Sequence, residues 1–234
     1  MHIHIISLFA QELQAFAQIG VIGRALQSGK ASLSVWNPRD FTQDAYQTVD
    51  DRPYGGGPGM VMKADVLRKV ITEVKQEAPK GSPVIYLSPQ GVRFNQQRAK
   101  DFADLPGLIL LAGRYEGIDQ RVIEQDIDLE ISLGDFVLSG GELPALSIMD
   151  AVIRMLPDVL GDNESALQDS FMQGLLDCPH YTRPEVVDGQ AVPEVLLSGD
   201  HQKIAAWRLQ AAQEATKIKR PDLWNQYSDN KTDK

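Results

Sequence analysis

Short apolar runs alternate with polar stretches over the first two thirds of the chain. Ile3 to Phe9 is apolar, β-branched and brief, the pattern of a buried strand. A polar, partly helical stretch follows, closed by a turn at Asn37, Pro38, Arg39 and Asp40. Met62, Val66, Val70 and Val74 then recur every four residues, with Leu67 and Ile71 widening the stripe. That spacing predicts a helix over 62–77, stopped by Pro79 and Gly81. Val84 to Ser88 reads as a strand ending in Pro89, Gln90 and Gly91. Leu108 to Ala112 reads as another, running into Gly113 and the loop RYEG, and a further strand falls near 127–133. Leu146, Met149, Ile153 and Leu156 share one face of a helix that has Pro144 in its first turn and ends before Pro157. Strands separated by helical stretches imply a parallel sheet, so residues 1–160 read as an α/β domain.

The pattern then changes. Residues 161–170, GDNESALQDS, are polar and acidic and read as an interdomain linker. Residues 171–234 form a smaller domain, with loops and extended pieces over 178–199. A helix begins at Asp200, whose carboxylate can cap it, and runs through Ile204, Ala205, Arg208, Leu209 and Ala212. Residues 221–234 carry no chemical signal.

Composition narrows the classes. The 234 residues contain one cysteine, Cys178, which excludes an intramolecular disulfide, a four-cysteine zinc site and a two-cysteine redox pair. No apolar run reaches the roughly 18 residues of a membrane span. The opening MHIHIISLFAQELQ lacks a basic residue before its apolar run and reads as a strand, not a signal peptide. The net charge of −9 argues against nonspecific coating of nucleic acid. The charge is uneven, with residues 201–234 holding 7 basic and 4 acidic side chains, so a local basic face on the tail is compatible with the sequence.

Glycines cluster at 55–59, 113–117 and 134–141, and two of these clusters follow predicted strands. In parallel sheets, ligands bind beyond the carboxyl ends of the strands. No phosphate-cradling GxxxxGK loop and no GxGxxG follows, so neither a nucleotide-hydrolase loop nor a nicotinamide fold is indicated. His2 and His4 lack metal-ligand spacing. Cys178 and His180 alone are too few ligands and read as a loop anchor. A carboxylate such as Glu116 or Asp169 can act as a general base, and an arginine such as Arg154 can stabilise developing negative charge. On spacing alone, each reads first as a surface or structural residue.

In combination the motifs become specific. RPYGGGPGMVMK at 52–63, YLSPQG at 86–91, LAGRYEGIDQRV at 111–122, GDFVLSGGELPAL at 134–146, DSFMQGLLDCPHYTRPE at 169–185 and LLSGDHQKIAAWR at 196–208 occur in one order. In these strings the sequence resembles the bacterial tRNA (guanine-N1)-methyltransferases that modify position 37, beside the anticodon. The resemblance implies a trefoil-knotted methyltransferase domain of parallel-sheet α/β class, with a small, mainly helical C-terminal tRNA-binding domain. It implies a cytoplasmic homodimer with active sites at the subunit interface, S-adenosylmethionine as cofactor, and a Mg2+ requirement without an identifiable protein site. Its tRNA substrate would carry guanosine at 37, with a preference for guanosine at 36.

Carried over residue by residue, the resemblance implies a cofactor pocket of Tyr86, Leu87, Ser88, Pro89, Gly113, Ile131, Ser132, Leu133, Gly134, Leu138, Gly140, Gly141 and Pro144. Asp169 looks like the general base and Arg154 like the clamp on the substrate oxygen. Gly59, Glu116, Asp177, His180, Arg183 and Arg208 look like substrate-side residues. Phe136 departs from the tyrosine common at its place, a loss of one hydroxyl contact. A knotted methyltransferase of another RNA, or a noncatalytic RNA-binding protein on the same fold, is the competing expectation.

Overall fold

In the computed structural model, residues 1–161 and 169–232 are described. The chain divides into two compact units, Met1–Gly161 and Asp162–Lys234. Most of the expected linker at 161–170 lies outside the described residues.

The larger unit runs β1 (His2–Ile6), α1 (Ala10–Phe16), α2 (Gly20–Gln27), β2 (Ser32–Trp36), a 3-10 turn at Pro38–Phe41, β3 (Asp50–Asp51), β4 (Val61–Met62), α3 (Ala64–Glu77), β5 (Val84–Arg93), α4 (Gln96–Ala103), β6 (Gly107–Ala112), α5 (Gln120–Asp126), β7 (Leu129–Ser132) and α6 (Glu142–Ile153). Five strands form one sheet in the order β2-β1-β6-β5-β7, every pair parallel. Side chains alternate across a sheet with period two, so each central strand feeds two cores. Ile3, Ile5, Leu108 and Leu110 join Leu13, Ile22, Ile148 and Val152 on one face. Ile6, Ile109 and Leu111 join Leu67, Val70, Ile71 and Val74 on the other. β6 is buried along its whole length, which explains why its sequence is an unbroken apolar run.

Three boundaries differ from the sequence reading. The helix expected over 62–77 begins at Ala64, because Met62 is in β4. Met62 N–H donates to the Gly117 carbonyl, Lys63 N–H donates to the Val49 carbonyl, and Met62 is fully buried. Its spacing matched the helical stripe only because both positions face the same core. β2 lies inside the stretch read as polar and partly helical. Ser32 and Ser34 alternate there with Leu33 and Val35 on an edge strand. β5 continues to Arg93, past Pro89 and Gly91, with a register shift against β7 between Leu87 and Val92. A bulge tolerates a proline that a regular ladder cannot.

After edge strand β7 the chain returns to the middle of the sheet. Gly141 N–H donates to the Gly113 carbonyl at 2.9 Å, and α6 packs against β6.

The smaller unit contains the hairpin β8 (Val186–Val187) and β9 (Gln190–Ala191), then α7 (Glu194–Leu197), α8 (His201–Lys219) and α9 (Pro221–Thr232). Asp188 and Gly189 both have positive φ, the geometry of the Asp-Gly turns that suit two-residue hairpins. Asp200 caps α8, its side chain accepting from the N–H groups of Gln202 and Lys203. Thr216 is fully buried. Its hydroxyl donates to the Ala212 carbonyl at 2.7 Å and accepts from Leu176 N–H at 2.9 Å, tying the 169–178 segment to α8.

Candidate functional site

Three loops meet at the carboxyl ends of the central strands. The first is the bulge of β5, the second is residues 113–117 after β6, and the third is 133–141 after β7. They enclose a cavity of about 290 Å³. Every residue expected to hold a cofactor lines it: Tyr86, Leu87, Ser88, Pro89, Gly113, Ile131, Ser132, Leu133, Gly134, Leu138, Gly140, Gly141 and Pro144. Glu116 lines it too, as do Arg114, Tyr115 and Phe136, none of them in the expected cofactor set.

Local rules explain why these loops come so close. A Cβ at Gly141 would lie 2.6 Å from Ala112 Cα and 3.0 Å from Gly113 N, so only glycine lets the third loop rest on the second. A Cβ at Gly113 would meet the Tyr86 ring at 2.7 Å. Ser88 and Ser132 are nearly buried, and each turns its hydroxyl back on its own loop. Ser88 accepts from Gln90 N–H, and Ser132 from Gly134 N–H. Burial, then the charge of Glu130, pushes the Tyr86 phenol above its ordinary value, so it stays protonated.

The walls mix apolar surface (Leu87, Ile131, Leu133, Leu138, Pro144) with loop backbone and the Glu116 carboxylate. That combination suits a ligand with an apolar body and a few polar or cationic groups. Gly59, outside this cavity, sits against Glu116. A Cβ there would lie 2.8 Å from the carboxyl carbon, and Glu116 N–H donates to the Met60 carbonyl at 3.0 Å. Gly59, alone among the glycines of 55–59, therefore packs against the carboxylate loop.

Arg154 caps the C-terminus of α6, half-buried, with its N–H on the Asp150 carbonyl at 3.1 Å. It does not line this cavity.

The smaller unit has its own cavity, about 520 Å³, lined by Asp169, Gln173, Asp177, Cys178, His180 and Arg208 among others. The structure thus brings together four of the expected residues, Asp169, Asp177, His180 and Arg208. Arg183 is exposed and lies outside it. The Asp177 carboxylate accepts from His180 Nε2 at 2.8 Å and from Cys178 N–H at 2.7 Å. Burial disfavours its charged form, but the hydrogen bonds from His180 and Cys178 outweigh burial and hold it below the usual carboxylate range. Burial, then the neighbouring Asp177 charge, pushes the Cys178 thiol up, which makes it a poor nucleophile.

Asp177, Cys178 and His180 offer one oxygen, one sulfur and one nitrogen within 4.8 Å of one another. Sequence reading counted only two of these three. The mixed donor set does not fit Mg2+, which takes oxygen ligands in near-octahedral geometry.

Comparison with known proteins follows the same pattern. A family model described as tRNA (Guanine-1)-methyltransferase TrmD matches residues 1–226. A protein of Methylococcus capsulatus named tRNA (guanine-N(1)-)-methyltransferase is 60% identical over 223 residues, covering 95% of this chain and 89% of that relative. One of the same name from Pseudoalteromonas translucida is 57% identical over 219 residues, covering 94% and 86%. Another from Pasteurella multocida is 55% identical over 223 residues, covering 95% and 91%.

Proposed function

We propose, for a chain that belongs to the tRNA (guanine-N1)-methyltransferase family, that it methylates N1 of guanosine at tRNA position 37 and so supports reading-frame maintenance. The observation that carries this reading is the meeting of the three glycine-containing loops around one cavity in a sheet of the knotted class. S-adenosylmethionine, the methyl donor such a family uses, supplies an electrophilic methyl group. The residues lining the cavity, Tyr86–Pro89, Gly113, Ile131–Gly134, Leu138, Gly140, Gly141 and Pro144, would hold and orient it. Holding donor and acceptor in line removes much of the entropic barrier.

Guanine N1 carries a proton at neutral pH and is a poor nucleophile. Asp169 accepts that proton. Arg154 stabilises the negative charge that grows on O6 of the base. Glu116, supported by Gly59, faces the cavity from the second loop and bounds the substrate side. Asp177, His180, Arg183 and Arg208 belong to the tRNA-facing surface. The base would leave its stack to reach the site.

The protein works as a homodimer in the cytoplasm. The cofactor cavity comes from one subunit, and the linker with the small unit comes from the other. No described helix is long and apolar enough to cross a membrane. A need for Mg2+ is assigned to the RNA side, and no residue here is given to it.

The test is methyl transfer from labelled S-adenosylmethionine to unmodified transcripts with guanosine at 36 and 37, mapped by mass spectrometry. Methyl on N1 of guanosine 37, reduced when position 36 is changed, is the expected result. Label on another RNA, or none with folded protein and magnesium present, would overturn the reading.

A further inference from the structure

A charge pair, Glu142 buried and Arg114 partly exposed in the cavity wall, lies outside the proposed chemistry. Glu142 sits in the first turn of α6 and is only 8% exposed. Its Oε2 lies 2.9 Å from Nε of Arg114. The approach is too oblique for a hydrogen bond, and both atoms are buried without another hydrogen-bond partner, so attraction of charge holds them. Ser7, fully buried just past β1, donates its hydroxyl to Glu142 Oε1 at 2.8 Å and accepts from Phe9 N–H at 3.0 Å. Arg114 also donates from Nη1 to the Ser139 carbonyl at 3.1 Å, and its guanidinium carbon lies 4.3 Å from the centre of the Phe9 ring. A Cβ on Gly140 would collide with the Arg114 side chain and lie 2.6 Å from Glu142 Oε2, so the pair passes directly over that glycine.

Arg114 belongs to the loop after β6, while Ser139, Gly140 and Glu142 belong to the segment after β7. Arg114 on the one side and Ser139 and Gly140 on the other line the cavity. Without Arg114 the Glu142 carboxylate would stay buried with Ser7 as its hydrogen-bond donor, which favours the arrangement of the walls that keeps the two charges together.

We propose that the Arg114–Glu142 pair, anchored by Ser7, is a positioning element that locks the two loop walls in the geometry that accepts the cofactor. The pair acts through the loops and takes no part in the chemistry. The proposal rests on the cofactor reading given above.

The test measures S-adenosylmethionine affinity by calorimetry and kcat at saturating cofactor in the full-length protein. Glu142→Gln, at a residue outside the cavity lining, should weaken affinity roughly tenfold, about 1.4 kcal/mol, with kcat within about twofold, and Arg114→Leu should weaken affinity at least as much. The double variant should be no weaker than the weaker single variant, because one lock is lost only once. Ser7→Ala keeps the charges and removes one hydrogen bond, so it should fold and weaken affinity by about two- to fivefold. Unchanged affinity in a folded Ser7→Ala, or losses that multiply in the double variant, would overturn the lock. A parent protein that binds no cofactor would overturn the cofactor reading and the lock together.

Discussion

The two cavities are built in different ways. In the larger unit, walls come from loops after parallel strands, closed by glycines that permit contact and by one charge pair whose Glu142 end is buried. In the smaller unit, the cavity is faced by side chains, Asp169, Asp177, His180 and Arg208, standing on a loop and on one face of α8. The first construction fixes shape. The second presents proton acceptors, charges and hydrogen bonds at an open surface. A rigid shape suits holding a small donor, and displayed charge suits meeting a polyanion and moving a proton.

That contrast can be broken by substitution. The largest effect should come from Asp169→Ala, expected to slow single-turnover methyl transfer by about 10²- to 10⁴-fold with cofactor affinity unchanged. Equal rates would remove Asp169 as base.

His4 gives a test of the larger unit alone. It is fully buried in β1, its Nδ1 accepts from Trp36 Nε1 at 3.1 Å, and its Nε2 has no partner. Burial, with the charge of His2, lowers its pKa to about 4. Between pH 6.5 and 4 the unfolded chain therefore binds more protons than the folded one. Stability is held above that window and lost as pH falls through it, by on the order of 3 kcal/mol. His4→Asn keeps an acceptor for Trp36 and should flatten that acid slope. Chemical denaturation at pH 7 and pH 4.5 measures it.

Gly141→Ala should weaken cofactor binding by roughly 100-fold, about 2.7 kcal/mol. The colliding atoms are backbone of Ala112 and Gly113 and cannot turn aside. Retained affinity in calorimetry would show that the walls are not held by this contact. The smallest effect belongs to the other unit. Thr216→Val leaves Leu176 N–H without its partner and should cost about 1–3 kcal/mol of local stability. Hydrogen exchange should rise in the 169–178 segment and α8, not in the sheet.

Sequence patterning reached the parallel sheet and most of its strands because fully buried strands leave unbroken apolar runs, as at Leu108–Ala112. It missed β2, whose alternating serines look like coil, and misread Met62, whose burial on β4 mimics a helical stripe. Motif resemblance reached the glycine loops because close backbone approach admits few other residues. It did not reach Ser7, Arg114 and Glu142 as a unit. Their partners lie up to 135 positions apart, and no local period links them. The acid in SGGELP was a signal that passed unused, since it places a carboxylate in the first turn of α6 with no sign of what it faces. Asp177 was likewise singled out without its hydrogen bonds to His180 and Cys178.

The most direct test of the whole account joins the two constructions in one molecule. Gly141→Ala weakens the proposed cofactor cavity and Asp169→Ala removes the proposed base, and differently tagged copies of the proposed dimer can be purified together and assayed at a cofactor concentration too low to fill the weakened cavity. With cavity and base contributed by different subunits, one site of the mixed dimer is intact, and about half the parent methyl-transfer rate is expected. A mixed dimer as inactive as either variant alone would place both in one subunit and contradict the account.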